Sequence, residues 1–512
     1  VSFLSGGARL TDQELEEWAS SIAVKIKAPR ERPIGILAPS SLEFVAALRG
    51  IWGAGAIAVP LNPHHPVAEL EYILEDSGLE EFFFHESCAE LASKLDARGI
   101  KITRGKGEAT GNPEAEDAAL MIYTSGTTSR PKGVISTYGS IYAQVASLTE
   151  AWKWSQSDRT LCVLPLHHVH GLVNIVTCGM QAGAEIELAD KFDAALVWDR
   201  IASGAINVFM GVPTIYVKLL EHWEKSPAKN DWSAAAKKMR LMVSGSAALP
   251  APVSDRWLAA TGHRLLERYG MTEIGMALSN PLEGERRVGT VGKPLPGVRV
   301  RLVEGEIQVK GETVFREYWE REVDCFTKDG WFCTGDIAEL DEAGYYRILG
   351  RASQDILKSG GYKISALEIE SVLLEHPAVK EVAVVGLPCD TYGEKIAAAY
   401  VGEEADLAAW LKTRLSPYKV PTIWKRVASL PRNAMGKTIK VEVKKMLATG
   451  SISGAEAETL LTRLGWEPRG KSGGSHVTYV KPGNHPITMI RNRKDLKPYQ
   501  IKELKVRLLP QE

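Results

Sequence analysis

Residues 33–62 read PIGILAPSSLEFVAALRGIWGAGAIAVPLN. An apolar run, a serine pair suited to starting a helix, an amphipathic stretch, a glycine break and a second apolar run follow one another. This order predicts a βαβ unit, because two fully apolar strands call for a parallel sheet covered by helices. The pattern recurs. PVAELEYILEDSG (66–78) predicts a helix and LEEFFFH (79–85) the strand after it, and similar alternation runs through RTLCVLPL (159–166), INVFMGVPTIYVKLLEHW (206–223) and MRLMVSGSAALP (239–250). From about Leu295 short strands with charged turns take over, ending at YYRILGR (345–351). Beyond Arg351 a smaller α+β unit is predicted from SALEIESVLLEH (365–376), VKEVAVVG (379–386), KIAAAYV (395–401) and DLAAWLKTRL (406–415). The small-residue stretch ATGSISGAEA (448–457) reads as a linker to a third segment.

The chain has 512 residues, more than one ordinary core accommodates, so two or three domains are expected. A composition of 45% hydrophobic and 24% charged residues with net charge −1 describes a globular protein without a global bias toward nucleic acid or membrane. No apolar run reaches the roughly 18 residues a bilayer span requires. Six cysteines are scattered without a C-x-x-C pair, which predicts reduced thiols in a cytoplasmic-type compartment and no zinc site. The sequence starts at Val1, so an organellar location with a missing leader stays open, and oligomeric state is not legible.

The chemistry gathers around MIYTSGTTSRPKGV (121–134). Its density of Ser, Thr and Gly predicts a loop whose N–H groups and hydroxyls wrap phosphate oxygens, with Lys132 as counter-charge. It is not a Walker loop, because five residues separate Gly126 from Lys132 and Gly133 follows the lysine. The alternative reading is a polar turn between a strand and a helix. Further strings succeed it in order: LPLHHVHGL (164–172), GVPTIY (211–216), SGSAALP (244–250), LLERYGMTE (265–273), WFCTGDIAEL (331–340), YRILGRASQDILKSGGYKISALEIE (346–370) and LPRNAMGKTIK (430–440).

Together these motifs resemble those of the adenylate-forming superfamily of acyl-CoA synthetases, luciferases and adenylation domains, over about residues 10–447. The resemblance implies an α/β fold: an N-terminal domain (1–350) with parallel sheets, helices and a β-rich segment, and a small mobile α+β lid (351–447). It also implies a reaction in which a carboxylate attacks the α-phosphate of ATP and CoA then displaces AMP. By that resemblance Thr124, Ser125, Gly126, Thr127, Thr128 and Lys132 would cradle phosphates, although glycine is usual where Ser129 stands. Glu273 and Thr128 would hold Mg2+, and Thr272 would donate to the α-phosphate, with His168 completing the catalytic set alongside Lys437. Tyr269 would stack on adenine, against Gly245, Ser246 and Ala247, with Glu267, Arg268 and Gly270 in the same nucleotide-binding stretch. Asp336 would accept from both ribose hydroxyls, and Arg351 would reach ribose and phosphates. Lys437, in the lid, would insert its ammonium between carboxylate and α-phosphate. A hinge near Ser353 and Gln354 would then withdraw it and bring Lys358, Ser359, Gly360 and Gly361 to CoA.

Acid choice rests on the pocket walls. SNPLEGERRVGTVGKPLPGVRVRL (279–302) resembles malonyl-CoA synthetases, with Arg286, Ser279 and His170 in the pocket. A second substrate carboxylate in a partly desolvated pocket calls for a guanidinium partner, which Arg286 would supply to malonate or methylmalonate. Alternatively, Arg286 or Arg287 pairs with Glu283 or Glu285 on a surface turn, and the enzyme is a ligase for another small or aromatic acid.

Residues 451–512 carry eleven Lys and Arg against six Asp and Glu, about +5, which leaves about −6 for the remainder. They read as helix, strand, hairpin, strand, helix, and resemble the HicA toxins, small double-stranded-RNA-binding-like α+β domains (here 455–512), with Gly474, Ser475 and His476 at the catalytic string. RNA or an antitoxin is the partner this implies. A basic accessory domain without nuclease activity, and an RNA-directed toxin or regulator carrying a vestigial ligase, are the other readings.

Overall fold

The computed structural model describes residues 1–27, 30–107, 111, 113–124, 131–389, 392–432, 438–447, 461, 466–469, 476–481 and 487–490. The chain divides into two compact units, Val1–Ile356 and Leu357–Glu512.

The opening βαβ prediction holds. Pro33–Leu37 and Ile57–Leu61 pair in parallel with Pro33 opposite Ile57, and helix Leu42–Gly53 connects them. Ser41 caps that helix by accepting from the Phe44 N–H at 3.2 Å. Gly50 is required where helix Asp12–Ala23 crosses, since a β-carbon there would lie 2.6 Å from the Ala19 carbonyl oxygen. In sheet order, Glu317–Tyr318, Lys132–Thr137, Ala118–Thr124, Ile57–Leu61, Pro33–Leu37, Glu81–Phe84 and Arg98–Lys101 form one sheet.

A second sheet runs Lys293–Pro294, Gly275–Ser279, Leu266–Met271, Leu241–Ser244, Val208–Gly211, Arg159–Cys162, Glu185–Leu188, Ser2–Ser5 and Ala8–Thr11. Its middle strands are parallel, and its hairpin Leu266–Met271/Gly275–Ser279 is antiparallel. Buried Trp198 stacks on Trp232 at 5.1 Å and Trp257 at 5.7 Å among the helices that cover it. The β-rich stretch is the antiparallel sheet Arg299–Val303, Glu306–Lys310, Phe332–Leu340 and Tyr346–Arg351.

In the second unit Val379–Cys389 and Gly393–Gly402 form a long antiparallel pair backed by helices Ala366–Leu374 and Lys440–Leu447. The tail contributes strands Glu467–Arg469, His476–Val480 and Ile487–Ile490 in one antiparallel sheet. The first of these strands was not legible in the sequence, and both predicted tail helices lie outside the described residues, apart from Leu461.

Candidate active site

Hairpin Leu266–Met271/Gly275–Ser279 organises the site. Thr272, Glu273 and Ile274 form its turn, so the carboxylate sits at a hairpin tip. Gly270 is needed in the hairpin, where a β-carbon would fall 2.1 Å from the Gly275 carbonyl oxygen. Tyr269 donates its hydroxyl to Asp336 Oδ2 at 2.6 Å. Arg351 Nε lies 3.4 Å from Asp336 Oδ1, and the two residues are cross-strand partners. Arg351 also donates to the Thr334 carbonyl at 2.9 Å, while the Asp336 N–H donates to Thr334 Oγ1 at 3.1 Å. A carboxylate held from both sides in this way is oriented before any ribose arrives.

The predicted phosphate loop joins two antiparallel strands rather than a strand and a helix, and Thr124 faces Lys132 at its mouth. Ser125, Gly126, Thr127, Thr128 and Ser129 lie outside the described residues. Lys132 places its ammonium 5.2 Å from the centre of the Tyr318 ring. The Tyr318 hydroxyl donates to Glu273 Oε1 at 3.0 Å. Glu273 is buried, and burial raises its carboxyl pKa. A buried carboxylate with one hydroxyl donor suits a hard divalent cation, whose charge would offset that desolvation. Sequence reasoning missed Tyr318. Its strand pairs with Lys132–Thr137, a contact that the sequence separation of REYW from the loop conceals.

On the acyl side His168 is half-buried, and desolvation followed by His65 pushes its pKa down to about 4. His167 stands 4.4 Å from it ring to ring and is held near 2, by burial first and His168 second. His170 begins the π-helical turn His170–Thr177, and its Nδ1 shares a 3.2 Å hydrogen bond with Ser246 Oγ. Burial, then Arg268, keeps it well below the ordinary imidazole range. Ser246 has φ +66°, between buried Gly245 and exposed Ala247. Ser279 is also committed, accepting from Trp152 Nε1 at 3.0 Å and donating to the Asn280 carbonyl at 2.7 Å.

Of the two readings drawn for the adjacent arginines, the pairing on a surface turn is met by Arg287, which bonds Glu285 at 3.0 Å, and Arg286 points elsewhere. Its guanidinium donates to three backbone carbonyls, of Arg264 (2.6 Å), Leu282 (2.9 Å) and Pro281 (3.2 Å). The surface ion pairs belong to Arg287, with Asp341 at 2.7 Å and Glu285 at 3.0 Å, while Glu283 pairs with Lys153. Glu267 accepts from the Gly289 N–H at 3.2 Å, and burial lifts its carboxyl pKa to about 8. Arg268 is buried with Nε and Nη2 unpartnered, and burial lowers its pKa to about 9, leaving it charged at neutral pH.

In the second unit, Lys358 and Ser359 close strand Ile356–Ser359, and Gly360 (φ +57°) and Gly361 (φ +83°) make the turn into Tyr362–Ser365. The Lys358 N–H donates to Glu394 Oε2 at 2.7 Å, and Tyr362 stacks on Tyr418 at 4.3 Å. Lys437 lies outside the described residues, in the segment bracketed by the bridge between Arg432 and Thr438. His476 opens strand His476–Val480 opposite Ile490, and its side chain is outside the described part.

The family model for the AMP-binding enzyme matches residues 1–319, that for the AMP-binding enzyme C-terminal domain residues 368–437, and that for the HicA toxin of bacterial toxin-antitoxin systems residues 454–508. The chain is similar to the malonate–CoA ligase of Arabidopsis thaliana, with 46% identity over 81% of this chain and 78% of the relative. It is also similar to the mitochondrial malonate–CoA ligase ACSF3 of Homo sapiens, with 42% identity over 80% and 82%. Among solved structures it resembles ATP-bound MatB from Rhodopseudomonas palustris at 32% identity, covering 87% of this chain and 95% of that one, with a TM-score of 0.80. A malonyl-CoA ligase ternary product complex with methylmalonyl-CoA and AMP bound is similar at 37% identity over 84% and 96%, with a TM-score of 0.65.

Proposed function

The chain belongs to the AMP-binding enzyme family, and from that premise we propose that it is an ATP-dependent ligase joining malonate to CoA through malonyl-AMP. The observation that carries this reading is the hairpin. It ties Tyr269, bonded to Asp336, to Glu273 four residues on, so the nucleoside and metal ends of one nucleotide answer to a single rigid turn.

In the first half-reaction a malonate carboxylate oxygen attacks the α-phosphorus of ATP and pyrophosphate leaves. Asp336 accepts from the ribose hydroxyls, Arg351 steadies that carboxylate, and Lys132 meets the phosphates. Glu273, with Thr128, would hold Mg2+, which neutralises phosphate charge when bound. Lys437 would offer its ammonium where the two anions meet. In the second half-reaction the CoA sulfur attacks the acyl carbon and AMP leaves, with the 358–361 turn receiving the thiol arm.

Acid-dependent pyrophosphate release with malonate, methylmalonate, succinate, acetate and benzoate tests the reading. Malonate or methylmalonate should give the highest kcat/KM, and preference for acetate or an aromatic acid would overturn it. No helix among the described residues is long and apolar enough to cross a membrane, and the cysteines are free thiols. A reducing compartment fits this, whether cytoplasmic or organellar as for the mitochondrial relatives.

The tail supports a second role alongside ligation. Its charge of about +5 and its match to the HicA toxin model favour an RNA-binding module. The full chain should bind duplex RNA at about 50 mM salt and lose it as salt rises, whereas a chain ending at Leu447 should not bind. Equal binding by both chains would remove the module's claim.

A further inference from the structure

Asp76 draws together side chains from either end of the predicted phosphate loop and from the strand edge beside it. It lies on helix Val67–Ser77, one turn beyond Tyr72, so the two share a face of that helix. The Tyr123 hydroxyl, next in the chain to Thr124 at the loop's mouth, donates to Asp76 Oδ2 at 2.9 Å. Tyr72 has one hydroxyl proton and two acceptors in reach, the Pro131 carbonyl at 2.8 Å and Asp76 Oδ1 at 3.1 Å, and the nearer carbonyl takes it. Arg321 donates to the Tyr72 hydroxyl oxygen at 2.9 Å and forms an ion pair with Asp76. Its own N–H bonds the Tyr318 carbonyl at 3.3 Å, which joins the cluster to the edge that carries the Glu273 donor.

The arrangement constrains Lys132 from both sides. Pro131, held by Tyr72, precedes it, and Gly133, which follows it, is the cross-strand partner of Tyr123. The Gly133 carbonyl also accepts from the Trp319 N–H at 2.8 Å. Burial, then the bond to Asp76, keeps the Tyr123 phenol well above its ordinary range, so it stays protonated and donates. A carboxylate close to phosphate-binding groups repels the ligand unless its charge is offset, and Arg321 supplies that offset. Order of this kind is set when the chain folds, so ATP does not have to impose it on binding.

We infer that Asp76 is a positioning residue for the triphosphate of ATP: through Tyr123, Tyr72 and Arg321 it fixes where Lys132 presents its ammonium. The inference rests on the ligase reading. It assigns Asp76 to one half-reaction only, because an acyl-adenylate has already lost the β- and γ-phosphates that Lys132 meets.

The test measures the two half-reactions separately in the full chain. Asp76→Ala should raise the ATP KM for pyrophosphate formation about thirtyfold, and Tyr123→Phe, which keeps the ring and loses one bond, about fivefold. The malonate KM and the rate of thioester formation from supplied malonyl-AMP should stay within about twofold of wild type, which a general loss of fold would not allow. In a Lys132→Met background Asp76→Ala should raise the ATP KM by less than about threefold more, since the group it positions is gone. An unchanged ATP KM, a proportional loss of both half-reactions, or a full additional effect in the Lys132→Met background would overturn the assignment to Asp76. A wild-type chain that releases no pyrophosphate with any acid overturns the ligase reading, and this inference with it.

Discussion

Arg286→Ala separates a structural guanidinium from a substrate clamp. The side chain ties residues 281–282 to the Arg264 carbonyl on the far side of the turn, through bonds of 3.2, 2.9 and 2.6 Å. A hydrogen bond from a charged donor contributes about 1.5–3 kcal/mol, and three independent ones would sum to about 4.5–9 kcal/mol. They are not independent. The Pro281 and Leu282 carbonyls share one turn and rehydrate together when it loosens, so we expect a loss of about 3 kcal/mol, roughly a hundredfold in the folding equilibrium. Urea titration followed by tryptophan fluorescence reads the loss. Hydrogen exchange localises it, because the Arg287 N–H bonded to Asn280 Oδ1 should open first. Arg286→Lys cannot reach three carbonyls and should lose nearly as much. A variant with wild-type stability and a malonate KM raised a hundredfold would refute this reasoning and return the clamp to Arg286.

Tyr318→Phe removes the one side-chain donor to Glu273 among the described residues and should lower the pyrophosphate-forming rate about tenfold, with a higher Mg2+ requirement and an unchanged malonate KM in metal titrations. Glu267→Gln should flatten the pH profile of stability. The fold keeps a proton up to about 8 that the unfolded chain gives up near 4.5, so wild-type stability falls as pH rises across that window, by up to about 1.4 kcal/mol per unit, and the glutamine lacks that slope. Lys437→Ala should abolish adenylation and spare thioester formation from supplied malonyl-AMP, and equal loss in both half-reactions would count against a withdrawn lysine.

The parallel sheets were legible because 33–37 and 57–61 are apolar throughout, with Ser41 and Gly55 marking the helix between them. Local periodicity records that kind of order. It does not record which distant segments become neighbours. Tyr318 meets Glu273 and Lys132 only because Glu317–Tyr318 adds to the edge of the loop's sheet. The two adjacent arginines of GERRVG are indistinguishable as text, yet Arg287 reaches Asp341 while Arg286 turns inward to Arg264. Arg268 was read with the nucleotide set because ERYG is continuous, although strand alternation sends Arg268 and Tyr269 to opposite faces.

Several arginines of the first unit have carboxylate partners, Arg351 at the site included. Arg240 is paired with buried Asp158, Arg200 with Glu187 and Arg316 with Glu31. At the site, Lys132 meets an aromatic face, and Arg268 Nε and Nη2 have no hydrogen-bond partner among the described residues. The histidines lining it are kept from adding to that positive charge, His168 down at about 4 and His167 at about 2, both chiefly by burial. Neutral imidazoles can donate to an anion without adding charge. Acid selectivity, taken as the malonate to propionate ratio of kcat/KM, should therefore stay level from about pH 7 to 8, where malonate is a dianion and the imidazoles hold no proton to release. A ratio that climbs as pH falls through about 6.5 would mean that a histidine charges in the free enzyme, and the buried, neutral pocket would be the wrong description.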